Sequence, residues 1–137
     1  MNIKRVNHIG VVTADMERVK KLYTDMLGLH MNHEEIYEGQ SKICFLPVGD
    51  SQIELIQSLH PNGKIAQIVA ERGEGIHHIA FDVENIDEAI KELKGKGMTM
   101  VSEMPKAGAK GSRVVFLNPE TTHGVMIELV QPAHKSK

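Results

Sequence analysis

Two histidines and two glutamates stand where apolar residues are expected. His8 lies in Val6-Asn7-His8-Ile9-Gly10-Val11-Val12, and His78 in Gly75-Ile76-His77-His78-Ile79-Ala80-Phe81-Asp82-Val83. Glu54 lies in Ile53-Glu54-Leu55-Ile56-Gln57 and Glu128 in the matching Ile127-Glu128-Leu129-Val130-Gln131. A polar group inside a buried run must be repaid by a hydrogen bond or a metal, and a carboxylate more so than an imidazole. Taken singly, each could simply face water from a half-buried strand. The repetition changes that weighing, because the second His follows the first by 70 positions and the second Glu the first by 74. If the two halves are related by a pseudo-two-fold axis, His8 and Glu54 meet His78 and Glu128. Two imidazoles and two carboxylates then make a coordination sphere for one divalent ion per chain, with two water or substrate oxygens completing six. That mixed nitrogen and oxygen set favours Co²⁺, Ni²⁺, Mn²⁺ or Zn²⁺ over the all-oxygen sites of Mg²⁺ and Ca²⁺. A closed tetrahedral structural zinc leans on cysteine, and Cys44 is the only one. His77 is a decoy: successive strand residues face opposite ways, and the match with His8 selects His78.

The elements that must position these residues also come twice. After Val6 to Val12, Thr13-Ala14-Asp15 supplies capping side chains. Met16, Val19, Tyr23 and Met26 then form the apolar stripe of a helix that Gly28 ends. Met31 to Tyr37 and Ser41 to Pro47 read as strands around a Glu38-Gly39 turn, and Gln52 to Gln57 is the next strand. In the second half Asn85 caps a helix striped by Ile86, Ala89, Ile90 and Leu93, stopped by Gly95 and Gly97. Strands are predicted at Met98 to Ser102, Arg113 to Leu117 and Val125 to Gln131. The fold class is therefore α+β: two tandem βαβββ modules forming a curved mixed sheet around a central metal site. The chain reads as a single domain over residues 1–137. Module one covers about residues 5–57, a connector with a short helix 58–74, and module two 75–132, with a frayed tail from His134 to Lys137. Each module leaves a sheet edge and an apolar face, which side-by-side packing removes.

Composition excludes several classes. A formal net charge of −2 and 4% aromatic residues argue against a nucleic-acid binder. No apolar run approaches the ~18 residues of a membrane span. One cysteine and no secretory leader pattern point to a reducing cytoplasm. Eight methionines and no tryptophan suggest an aliphatic, adaptable core. His30, His33, His60, His123 and His134 sit at loop-like positions and are expected at the surface.

The paired modules with one His and one Glu apiece resemble the vicinal oxygen chelate superfamily, which includes glyoxalase I, extradiol dioxygenases, fosfomycin-resistance transferases and methylmalonyl-CoA epimerase. Local strings resemble the epimerases in particular: Phe45-Leu46-Pro47-Val48-Gly49-Asp50, Gly73-Glu74-Gly75-Ile76-His77-His78, Gly108-Ala109-Lys110-Gly111-Ser112-Arg113 and Phe116-Leu117-Asn118-Pro119. The resemblance implies that His8, Glu54, His78 and Glu128 are the metal ligands. It implies metal-dependent epimerisation of (2S)- and (2R)-methylmalonyl-CoA through a metal-stabilised enolate, with a base for each face of the intermediate. Glu128 matches one such base, and Lys42 stands where the other is expected, with Glu35 and Glu38 as nearby acids. Lys42 would need a lowered pKa for that role, or would instead pair with the substrate carboxylate. Lys106, Lys110 and Arg113, in a glycine-containing loop, are candidates to bind that carboxylate or the phosphates of coenzyme A. The rival activities are glyoxalase I, acting on a thiol hemithioacetal, and non-catalytic ligand sequestration of the bleomycin-resistance kind. The partner is a small acyl-CoA or hemithioacetal, and the expected assembly is a homodimer.

Overall fold

The structure is a computed structural model and describes residues 1–133. The expected frayed tail, His134 to Lys137, lies outside the described residues. The chain forms two compact units, one of His8–His77 and the other of Met1–Asn7 with His78–Lys137. The strands are β1 (Val6–Val12), β2 (His33–Tyr37), β3 (Ser41–Val48), β4 (Ser51–Ser58), β5 (Gly75–Asp82), β6 (Lys106–Ala107), β7 (Arg113–Phe116) and β8 (Ile127–Gln131), and the helices α1 (Met16–Lys21), α2 (Lys64–Arg72) and α3 (Ile86–Gly95).

In the His8–His77 unit the strand order is β2-β3-β4-β1, with β1 parallel to β4 and both hairpins antiparallel. The β2–β3 hairpin turns through Glu38 and Gly39, which have φ of 52° and 67°. Two successive positive φ angles suit the twist of a tight hairpin, and Gly39 takes one without steric cost. One sheet face packs α1: Val11, Met16, Cys44, Leu46 and Leu55 are buried together, with Val19 and Tyr23 against them.

Helix α1 departs from expectation. Its α-helical part ends at Lys21 and continues as a π-helix over Leu22–Met26, with Leu27 N–H bonded to the Leu22 carbonyl at 3.1 Å. The Thr24 hydroxyl donates to the Lys20 carbonyl at 2.9 Å, a competing bond of the kind that distorts a helix. The wider turn shifts the face, so Met26, predicted for the apolar stripe, is 77% exposed. Gly28 still closes the segment, at φ 76°.

The other unit has the order β5-β8-β7-β6, with β5 parallel to β8 and β8 antiparallel to β7. Ile86, Ala89, Ile90 and Leu93 of α3 are buried against Val115, Leu117 and Leu129, as their spacing predicts. Burying each larger aliphatic side chain stabilises by roughly 1.5–3 kcal/mol. The strand predicted over Met98 to Ser102 is reduced to one bridge, Met100 to Leu117. Pro105 has no N–H to give a ladder, and pairing resumes just after it at β6, two residues long.

Candidate functional site

Each unit builds the same arrangement on its parallel strand pair. In one, Gly10 of β1 lies beside Glu54 of β4, and His8, two residues earlier, shares the face of Gly10. In the other, Ala80 of β5 lies beside Glu128 of β8, and His78 stands two residues before Ala80. Parallel pairing thus carries each histidine to the glutamate of its own unit. All four side chains are buried, at 5 to 7% exposure. The His8 Nδ1 lies 2.9 Å from Glu54 Oε2, which also accepts from the Gln52 amide at 3.3 Å. The His78 Nε2 is 3.9 Å from Glu128 Oε1, beyond hydrogen-bond range. The Phe116 ring meets the His78 imidazole edge-on, with centroids 5.4 Å apart.

A phenylalanine faces each glutamate across the antiparallel side: Phe45 opposite Glu54, and Phe116 opposite Glu128. Ala80, Val114 and Val130 extend the apolar lining around Glu128. Apolar walls beside buried carboxylates strengthen any charge interaction made there. His77 lies on the other face of β5 from His78. Its pKa is lowered, first by burial and then by the charges of Arg72 and Lys64.

The glutamate strands do a second job that the sequence did not announce. Gln57, three residues after Glu54 and therefore on the opposite face, accepts from the Met16 N–H at 2.8 Å and donates to the Ala14 carbonyl at 3.1 Å. Gln131, three residues after Glu128, accepts from the Ile86 N–H at 2.9 Å. Each glutamine holds the first turn of a helix, beside the caps at Asp15 and Asn85. The repeated Ile-Glu-Leu-(Ile/Val)-Gln string was visible; the helix N–H groups that its glutamines meet were not.

Register also decides the placement of Lys42. Phe45 and Ile43 share the face of Glu54, whereas Lys42 lies opposite Gln57 and shares the helix-side face with Cys44 and Leu46. Its Nζ is 2.9 Å from Glu34 Oε1. The hydrogen bond to Glu34 raises its pKa against partial burial, with the charges of Glu34, Glu17 of α1 and Cys44 adding to the effect. The base role needed a lowered pKa and the face of Glu54, and Lys42 has neither.

The candidate substrate-binding residues are spread along one loop. Lys106 is exposed on β6, and Lys110 has φ 56° at the tip of a 3₁₀ turn over Ala109–Gly111. The loop is cinched by the Ser112 hydroxyl, which donates to the Ala109 carbonyl at 2.7 Å. Gly108 is required by close approach, since a Cβ there would come within 2.6 Å of Ser112 Oγ and Val114 Cγ1. Arg113 is engaged by Asp87 through two bonds, of 2.8 and 3.1 Å, which lower the Asp87 pKa and raise that of Arg113.

Known proteins share this fold. Residues 7–116 match the family model described as the Glyoxalase/Bleomycin resistance protein/Dioxygenase superfamily. The chain is 34% identical to the ethylmalonyl-CoA/methylmalonyl-CoA epimerase of Cereibacter sphaeroides, over 94% of this chain and 98% of that one. It superposes on the methylmalonyl-CoA epimerase of Mycobacterium tuberculosis with a TM-score of 0.90 at 33% identity, covering 96% of this chain and 90% of that one. A variant of the Streptomyces coelicolor methylmalonyl-CoA epimerase, in complex with 2-nitronate-propionyl-CoA, matches with a TM-score of 0.89 at 30% identity, over 97% of this chain and 100% of that one. With the vicinal oxygen chelate fold in both modules and full-length kinship to these enzymes, the chain belongs to the glyoxalase/bleomycin resistance/dioxygenase superfamily and, within it, to the methylmalonyl-CoA epimerase family.

Proposed function

We propose that this protein epimerises (2S)- and (2R)-methylmalonyl-CoA by removing and returning the proton at C2. The observation that carries the reading is the twice-built pairing of a buried histidine with a buried glutamate in a chain of epimerase kinship. We assign the two pairs to one divalent ion. His8, His78 and Glu128 each offer a buried ligand atom, Glu54 adds a carboxylate, and thiolates are absent from the set. This chemistry fits Co²⁺, Ni²⁺, Zn²⁺ or Mn²⁺. When bound, the ion would supply Lewis-acid stabilisation of the negative charge that forms on the thioester oxygen.

The residues of the chain do the rest. The Glu128 carboxylate accepts the C2 proton, and Phe116 with Val114 and Val130 keeps bulk water from it. Lys106 and Lys110 are assigned to the phosphates of coenzyme A. Arg113 pairs with Gln131 on the helix-side face, where Asp87 of α3 engages it, so it is not assigned to the substrate. We place the enzyme in the cytoplasm, a reducing setting that suits the buried free thiol of Cys44, and assign it a homodimeric state. Among the described residues no helix is long and apolar enough to cross a membrane.

The test is to incubate the metal-loaded protein with (2S)-methylmalonyl-CoA in D₂O. Appearance of the R epimer with deuterium at C2 is expected. Retention of the C2 proton and of the S configuration would remove the reading.

A further inference from the structure

We propose that Gln52 is a positioning residue for the His8–Glu54 half of the metal site: its amide fixes the Glu54 carboxylate, and that carboxylate fixes the His8 imidazole. This inference rests on the metal assignment above, and its three residues all belong to the His8–His77 unit.

Three observations carry it. First, the side chains share one face. Gln52 and Glu54 are two residues apart on β4, and because Ile9 pairs with Ile53 in parallel, His8 comes level with Gln52. Second, both bonds to Glu54 fall on one oxygen. Oε2 lies 2.9 Å from His8 Nδ1 and accepts from the Gln52 amide at 3.3 Å, and Oε1 takes neither bond. Glu54 is buried, so a donor removed there is not simply replaced by bulk water. The adjoining strands hold no substitute: Pro47 and Phe45 of β3 stand opposite Gln52 and Glu54, and Gly10 of β1 stands beside Glu54, none with a side-chain donor. Third, the repeat lacks the device. Met126 stands two residues before Glu128, where Gln52 stands before Glu54. Methionine has no hydrogen to donate, and the histidine–glutamate distance in that module is 3.9 Å instead of 2.9 Å.

The consequence for the ion runs through the histidine tautomer. An imidazole that donates its Nδ1 proton to a carboxylate keeps its lone pair on Nε2, the atom left for a divalent cation. A carboxylate in that position sets the orientation of the ring and makes it a stronger ligand. Glu54 does so only while its own oxygen is held in place, and a donor from β4 besides the one from β1 holds it. Gln52 therefore acts on metal affinity through Glu54 and His8, without touching the ion.

The experiment titrates the metal-stripped protein with Co²⁺, followed by equilibrium dialysis and by the visible absorption of the bound ion. Gln52→Met, nearly isosteric but without the donor, is expected to keep the wild-type far-ultraviolet circular dichroism and to lose ~10–100-fold in Co²⁺ affinity. In a Glu54→Ala background the same substitution should change affinity by less than about 2-fold, because its route to the ion is gone. A readout apart from affinity is the His8 Nδ1 proton of the Zn²⁺-loaded protein. Bonded to a carboxylate, it should give a downfield ¹H–¹⁵N signal in wild type that is lost in Glu54→Ala and broadened in Gln52→Met. Unchanged affinity in Gln52→Met, an equal loss with and without Glu54, or absence of the His8 signal from wild type would each overturn the inference and leave the metal assignment standing. Wild-type protein that binds no Co²⁺ would overturn both. Since no arm reads turnover, failure of the D₂O test removes the epimerase reading alone.

Discussion

At the scale of single residues, the two histidine–glutamate pairs are not copies. His8 is tied to Glu54 by a hydrogen bond at 2.9 Å, whereas His78 and Glu128 stand 3.9 Å apart with Phe116 edge-on to the imidazole. The first pair is in direct contact; the second is spaced more widely. His78→Ala should therefore abolish tight metal binding and reduce turnover by several orders of magnitude. It should leave the far-ultraviolet circular dichroism unchanged, because His78 belongs to none of the apolar clusters that hold the helices. Equilibrium dialysis with Co²⁺ followed by elemental analysis checks this, and retained stoichiometric cobalt would mean that His78 is not a ligand. The histidine and glutamate positions were legible in the sequence because a charge inside an apolar run is conspicuous. The placement of Lys42 was not, since a lysine in a half-buried strand looks the same in sequence whichever face it takes. Register sets that face.

At the scale of elements, the spacing of apolar residues predicted α3 well and α1 only in part. Ile86, Ala89, Ile90 and Leu93 keep a regular period and are buried, while the period through Met16, Val19 and Tyr23 fails at Met26. The failure has a local cause in the π-helical turn and the Thr24 hydroxyl, which a period of 3.6 cannot encode. The predicted strand at Met98 to Ser102 failed for another reason: Met98 and Met100 pack against the core of α3 and β7, Val101 is exposed, and only Met100 makes a bridge. The helix-holding role of Gln57 and Gln131 was likewise hidden, because a glutamine ending a strand carries no signal of its partner. Gln131→Ala removes the acceptor for the Ile86 N–H and should cost ~0.5–2 kcal/mol, the usual range for losing a helix cap. Urea denaturation should show a lower midpoint at unchanged slope. A midpoint within error of wild type would mean that the Asn85 cap alone secures α3.

At the scale of the whole molecule, long-range ion pairs give stability a pH dependence of definite sign. Glu74 is held below the usual carboxylate range by the Thr13 hydroxyl first and then by Arg18 and the Ala14 N–H. Asp87 is lowered by Arg113, and Glu92 by the terminal ammonium, which lies 2.6 Å away. A carboxyl whose folded pKa is depressed stabilises the native state above its unfolded pKa, and that stabilisation disappears as pH falls through the folded value. The melting temperature should thus decline between about pH 5 and pH 3. Glu74→Gln should lower it at pH 7 and flatten the decline, as differential scanning calorimetry would show; an unaltered slope would acquit Glu74.

The five-residue string that ends each module has a consequence for descent. Glu54 and Gln57 occupy opposite faces of β4, as Glu128 and Gln131 do of β8, so one face carries a proposed ligand and the other secures a helix. A lineage can therefore replace either glutamate while its glutamine goes on anchoring the helix, and activity is free to drift without loss of shape. Duplication of such a module hands down two attachments for folding together with two proposed ligand pairs, and selection can keep the attachments after it has stopped keeping the ligands.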